Sequence, residues 1–472
     1  MFFAVDNSSE NTFKSPIGLW NLRPSTGTLG QSREERFMRQ VHTGIERKNI
    51  LMISMVAVML SAVLFASIGC EDADPVDPLA DVFAVLQDTI LTSRTLVSDS
   101  TYVLSGDVIL RTLPTDTSTT TLTINPGTVI LGEHDTNGRL IVEPGAKLIA
   151  QGTESSPIIF TSDRLVGQRA AGDWGGVILQ GSAPVNNSSL LYGGTVSDDS
   201  SGILNYVRIE FAGNNANGAG LLLQGVGGAT VLDYVQVHRS GNAGIKIDGG
   251  EANLLHTVVT QPGSNGISWD NGWTGEGQYW VVQSTASAAG VRGSNNPDSP
   301  TSTPISNPLL YNVSLVEVES ASNSIGVIFT NGTLGTIRNS VVLGFETALE
   351  ISGTESNAAA EDTTLKITHS MFYDNTSLGE TANTTSETIA EAEWIADSKY
   401  VNRFRSPQLL NPYDLDDPEF YAVYGSPAYI GDSLASAPLE TSTGTVIEDF
   451  RVAGAERYYL PWVRAWTTFD RN

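Results

Sequence analysis

The chain has 472 residues, 46 of them glycine, and carries 52 acidic against 26 basic side chains, a formal net charge of −26. A field of that sign repels nucleic acid and anionic lipid surfaces, so proteins that grip phosphate backbones are excluded. The single cysteine, Cys70, leaves no internal disulfide framework, and burial with backbone hydrogen bonds must hold the fold.

Residues 1–37 lack an organised pattern. A start at Met38 would place Arg39, Arg47 and Lys48 ahead of the apolar run Ile50–Ile68, which stops at Gly69-Cys70 and is followed by Glu71, Asp72 and Asp74. That order of basic, apolar and small residues is a signal peptide's, and residues 1–37 read as an over-called start. Ser67-Ile68-Gly69-Cys70 resembles the bacterial lipoprotein signal, with Ser67 where that signal usually has Leu, and implies lipidation at Cys70. A transmembrane helix is the competing reading, since about 18 apolar residues nearly span a bilayer. Cleavage before Cys70 would remove 7 basic and 5 acidic residues, leaving 19 against 47. Residues 70–90 read as an acidic tether.

From residue 91 a repeat takes over. Gly220-Leu-Leu-Leu-Gln-Gly225, Gly244-Ile-Lys-Ile-Asp-Gly249, Gly266-Ile-Ser-Trp-Asp-Asn-Gly272, Gly326-Val-Ile-Phe-Thr-Asn-Gly332 and Ala348-Leu-Glu-Ile-Ser-Gly353 are one motif, with starts 22 or 24 residues apart except for a 36-residue interval from Gly290 to Gly326. The long interval predicts an insertion over residues 294–308. A period this short predicts a β-solenoid, one coil per period. Alternation points Leu221, Ile245, Ile267, Val327 and Leu349 inward, with Leu223, Ile247, Trp269, Phe329 and Ile351. Leu222, Lys246, Ser268, Ile328 and Glu350 point outward. A second strand per coil, Ala229–Val237 against Ala252–Thr260 without a gap, predicts Val231 over Leu254 and Val235 over Val258. The expected fold is an all-β, right-handed parallel β-helix over residues 91–375, ten to twelve coils and on the order of 50 Å long.

Raw sheet edges at both ends need covers. Residues 91–110 are the expected N-terminal lead-in and 376–472 the C-terminal cap. Within the cap, Thr384-Thr-Ser-Glu387 predicts a capping box and a short helix with Ile389, Ala392, Ile395 and Ala396 on one face. The aromatic tail Tyr458–Trp466 is expected over the last coil.

Gln224, Asp248, Asp270, Thr330 and Ser352 share one column, read as a polar ladder of stacked coils. Asp248 and Asp270 on adjacent coils are also a candidate metal pair, for Ca²⁺, although two carboxylates fall short of a full oxygen shell. Trp269 reads as core, while Trp273, in the turn Asn271–Gly275, is a candidate sugar-stacking residue with Lys246, Glu276 and Arg292 near it. His238 and His256 fall in different columns and read as solvent-facing. Asp248 and Asp270 with Lys246 or Arg292 are the one group that acid–base chemistry on a polysaccharide could use.

Gly172-Asp-Trp-Gly-Gly-Val-Ile-Leu-Gln-Gly181, Tyr192-Gly-Gly194, Tyr206-Val-Arg-Ile-Glu-Phe-Ala-Gly213 and the stretch from Gly425-Ser-Pro-Ala428 to Trp466 resemble a group of β-helix lipoproteins of Gram-negative bacteria within the pectin-lyase-like fold. The resemblance covers most of residues 95–472 and implies a fold and an envelope location, with no established catalytic residues to carry over. Relatives tend to place paired aspartates before a glycine in the central coils, where this chain has Gly241-Asn-Ala-Gly244 and Gly263-Ser-Asn-Gly266. The expectation is a lipid-anchored module of the outer membrane, on the cell surface or the periplasmic face, that binds a glycan or an envelope protein. A polysaccharide lyase or glycoside hydrolase and a structural stalk or adhesin are the alternatives.

Overall fold

A computed structural model describes residues 83–214, 218–285, 288–318, 322–381, 389–429, 453–456 and 461–471. The signal-like segment, Cys70, most of the tether and the Thr384–Glu387 box lie outside them. Among the described residues no helix is long and apolar enough to cross a membrane.

Two sheets of parallel strands wind around one core, a 16-stranded sheet I and a 10-stranded sheet II. Early coils have three short strands each: Thr101–Leu104 and Thr121–Ile124 join sheet I, with Asp107–Leu110 between them in sheet II. Alternation forces this arrangement, because within each strand inward Leu104, Val108, Leu110, Leu122 and Ile124 are buried while the residues that alternate with them are not. The inward residues expected in the central coils, from Leu221 and Leu223 through Leu349 and Ile351, all belong to one continuous core. At about 25 cal/mol per Å² of apolar surface removed from water, that column is the dominant stabilising term. Outward Leu222 is nonetheless buried, in a small separate cluster with Ile178, Ala219 and Ala243.

Trp269 and Trp280 lie in the core because glycines on neighbouring positions make room. A Cβ on Gly293 would strike the Trp269 indole and one on Gly277 the Trp280 indole.

From Gly202 to Glu317 the last strand of one coil and the first of the next fuse into a single strand, as in Gly202–Glu210, Val231–His238, Asn253–Thr260, Glu276–Ser284 and Leu309–Glu317. Each turns on one residue with left-handed φ: Tyr206 (51°), Tyr234 (55°), His256 (37°), Tyr279 (58°) and Asn312 (54°). A non-glycine residue pays strain in that region. Here the rings offset it by stacking, with centroids 4.3 Å apart for Tyr206 and Tyr234, 4.3 Å for Tyr234 and His256, and 4.9 Å for His256 and Tyr279.

These bends correct the expected register. Leu232, not Val231, lies over Leu254, and Val235 lies over Thr257. The gapless alignment was one residue out because Tyr234 and His256 occupy the same bend, and a one-residue slip exchanges the two faces. His256 therefore stacks in a column and holds Asp233 at 2.8 Å, while His238 is fully buried, so neither is a freely solvated strand histidine.

The boundaries move as well. Phe83–Leu86, Thr89–Ile90 and Arg94–Leu96 already form a coil, so residues 83–90 belong to the helix and not to the tether. Leu86 and Ile90 are buried between more exposed neighbours as soon as the acidic run ends. At the far end the cover is the short helix Glu391–Ala396 and the turn Ser398–Tyr400, whose Trp394, Ile395 and Tyr400 join the main core with Ile389. Glu391 accepts the Ile351 N–H at 3.0 Å at the last strand of sheet II, so its carboxylate occupies part of that open edge.

Tyr458–Leu460 lie outside the described residues, and the described part of the tail, Pro461–Trp466, does not cover the last coil. Val463 and Trp466 pack with Val258, Val281, Val316 and Val341 in a second apolar cluster on the outer face of sheet I. Trp466 meets Tyr206 and Tyr234 edge-on at 5.7 and 6.0 Å. The fused strands carry valine on their outer face, which sends the aromatic tail to the flank.

Candidate functional site

The polar column leaving sheet II is the best-defined constellation of candidate groups. Parallel register sets Gln180, Gln224, Asp248 and Asp270 one above another. Gln180 donates to Gln224 at 2.9 Å. One coil on, Asp248 receives three neighbours. Lys246, two residues back on the same strand and hence on the same face, places Nζ 3.2 Å from Oδ1. The Tyr192 hydroxyl donates to Oδ2 at 3.3 Å, and the Asn271 amide donates to Oδ1 at 3.4 Å. The Asp248 side chain is 4% exposed and Lys246 27%, so the ammonium faces solvent at the lip of a nearly closed carboxylate.

Asp270 accepts the Asn271 backbone N–H at 3.0 Å. Burial raises its pKa above the usual carboxylate value, and the Asp248 charge adds to the shift, while the Asn271 N–H and Ser294 oppose it. Burial, then the neighbouring Asp248, also raises the Tyr192 phenol, which stays a donor.

Two insertions close over the column. Residues 181–201 carry Tyr192, and residues 294–308 form the loop expected from the long repeat interval. Asn186 pins them together, donating to Asn295 Oδ1 at 2.7 Å and to Pro304 O at 2.9 Å, with its own N–H on Asn271 O at 3.0 Å. Asn295, Asn296 and Ser306 are buried there, so much of the second insertion is packed and not displayed.

The candidate residues divide accordingly. Lys246, Asp248 and Asp270 come together. Arg292 lies in the Lys246 column, with Ser268 between them, and makes no hydrogen bond or ion pair among the described residues. Trp273 is corrected: it is 0% exposed, its Nε1 donates to Ala252 O at 3.0 Å, and it belongs to the core. The glycine-rich turn around it reads as exposed, but the indole swings inward against Trp269 and Trp280. Glu276 opens a strand of sheet I, away from the aspartates, and its half-buried carboxyl is raised by desolvation.

As a metal centre the aspartate pair is poorly furnished. Among the described residues no three His, Cys, Asp or Glu side chains gather as an ion would need, and the Lys246 ammonium already stands beside Asp248. Tyr192, Asn271 and Ser294 were missed as partners. Tyr192-Gly-Gly194 stood out in the sequence, but its contact with Asp248 spans 56 positions and leaves no spacing signal.

Neither the curated proteins nor the solved structures gave a match. The family described as the pectate-lyase-like beta helix domain matches residues 88–404, from the first coil to just past the helical cover. With parallel sheets coiled around one core over that same span, the chain belongs to the pectate-lyase-like beta helix domain family.

Proposed function

We propose that the protein is a non-catalytic binding module of the cell envelope, held by a lipid on Cys70, that recognises a glycan on the outer face of sheet II. The observation that carries this reading is the contrast between two adjacent columns. The carboxylates that catalysis would need are immobilised: Asp248 has its oxygens engaged by Lys246, Tyr192 and Asn271, and Asp270 is nine-tenths buried. A general base must reach its proton within hydrogen-bond distance, which a closed ladder does not permit. The outward column, by contrast, offers Lys246 and Arg292 on a regular strand surface, two coils apart with the buried Ser268 between them, and Arg292 is free among the described residues. Rigid strands hold such groups at fixed spacing, which lowers the ordering cost of binding a repeating polymer.

The test is binding of the purified protein to a panel of neutral and acidic polysaccharides by calorimetry, with product analysis of each mixture. Retention of intact glycan, weakened at least about tenfold by Arg292→Ala, is the expected result. Release of unsaturated or reducing ends, lost in Asp270→Ala, would replace this reading with a lyase or hydrolase. The lipid is tested separately, by mass spectrometry of the mature N-terminus from a host with a lipoprotein pathway, where Cys70→Ser should abolish the acyl mass.

A further inference from the structure

The tail crosses sheet I backwards, from the late coils to the middle ones. Gly454 donates to Asn339 O at 2.8 Å and Ala455 to Ser314 Oγ at 2.9 Å. Further along, the Gln236 amide clasps Thr468 in both directions: Nε2 donates to Thr468 O at 2.6 Å, and Oε1 accepts the Thr468 N–H at 2.9 Å. Beside this clasp His238, fully buried, has Nε2 2.7 Å from Asp470 O and Nδ1 2.7 Å from Thr260 Oγ1.

A carbonyl oxygen only accepts, so Nε2 carries the hydrogen, and in the neutral ring Nδ1 accepts from the Thr260 hydroxyl. Both nitrogens are thus used by the uncharged tautomer. The charged groups around the ring come from three directions. Glu210, the register neighbour in the preceding coil, is 2.9 Å from Arg208. Arg239 follows on the same strand, and the tail supplies Asp470 together with Arg471, which is held by Asp416 at 2.6 Å. Phe211 closes one side edge-on at 5.8 Å. An imidazolium here would be buried near guanidiniums, with the adjacent carboxylate already paired.

We propose that the end of the tail is an acid-released latch: protonation of His238 frees residues 466–471 from sheet I and uncovers the Tyr206 ring and the Trp466 side of Tyr234, while residues 453–456 and 461–463 stay docked. The docked part is held differently. Buried Glu456 accepts N–H groups from Phe420 at 3.3 Å, Trp462 at 3.0 Å and Val463 at 2.9 Å. Burial moves Glu456 up to about 7 from its ordinary 4.5, and it moves His238 down to about 4 from 6.5. A raised carboxyl gives its full contribution below 4.5 and loses it as pH rises through 7. A depressed imidazole gives its full contribution above 6.5 and loses it as pH falls towards 4. Acid therefore strengthens the base of the tail as it loosens the tip.

The test is hydrogen exchange by mass spectrometry on the full chain between pH 7 and pH 4, corrected for intrinsic rates, beside NMR titration of the labelled histidines. Protection of 466–471 should fall at least about tenfold across that range while 453–456 keeps its own. His238→Gln, which retains one donor and one acceptor, should hold the tip at both pH values. A tip still protected at pH 4, the same loss in His238→Gln, or a simultaneous loss over the whole tail would overturn the proposal. Should His238→Gln fail to fold, the wild-type titration decides: the His238 midpoint must coincide with that of tip release, and separate midpoints reject the latch.

Discussion

Lys246 and Asp248 sit two positions apart on one strand, so the same pleat presents both and an ion pair forms at 3.2 Å. Removing the cation leaves a carboxylate that is 4% exposed without its charge partner. Lys246→Met should therefore cost about 3–5 kcal/mol in urea unfolding, and adding Asp248→Asn should restore most of it. Asp270 supplies a pH dependence. Its folded pKa lies above the ordinary 3.8, so its contribution is present below 3.8 and is lost as pH rises through the folded value. Asp270→Asn should thus raise the melting temperature at pH 7 and leave it unchanged at pH 3. Trp273→Ala should cost about 3–5 kcal/mol, the scale of an emptied core site, where a surface ligand residue would cost almost nothing.

Among the elements, the single-residue bends join sequence to packing most directly. Tyr234 is held at φ 55° by its neighbours above and below and by Trp462 and Trp466 edge-on. Both Tyr234→Ala and Tyr234→Gly lose the ring, but only alanine keeps the left-handed strain. Glycine should be the milder change by about 1 kcal/mol in chemical denaturation. The sheet II strands were legible because Leu221, Ile245, Ile267, Val327 and Leu349 alternate without interruption between glycines. The fused strands were not, since one left-handed residue in mid-strand breaks the period of two and shifts every later face. Tyr206, Tyr234, His256 and Tyr279 recur at 28, 22 and 23 residues, a column that was visible once rings were aligned instead of valines. Of the site, Lys246 with Asp248 and Asp270 could be read from one strand motif. Tyr192 and the tail contacts could not, because folding alone brings together residues as distant as Gln236 and Thr468, 232 positions apart.

Over the whole chain acidic side chains outnumber basic ones by 26, and most of that excess falls on a fold whose stability otherwise accumulates from coil to coil. Like charges oppose compaction, and salt screens them within about 10 Å at 0.1 M. Melting should rise by about 2–4 °C between low salt and roughly 0.5 M sodium chloride, as read by circular dichroism, and a flat or falling trend would place the acidic groups in local pairs. The three corners of each coil also differ in what they can accommodate. Where the chain swings round on Tyr206, Tyr234, His256, Tyr279 or Asn312 alone, an extra residue would pull apart a strand that runs through the corner unbroken. The other corners already accept long excursions, at residues 163–175, 181–201 and 294–308. Grafted epitopes, affinity tags or natural elaborations of this scaffold should be tolerated at those two corners and rejected at the third in the central coils, which gives that stretch one smooth ridge and two sides open to variation.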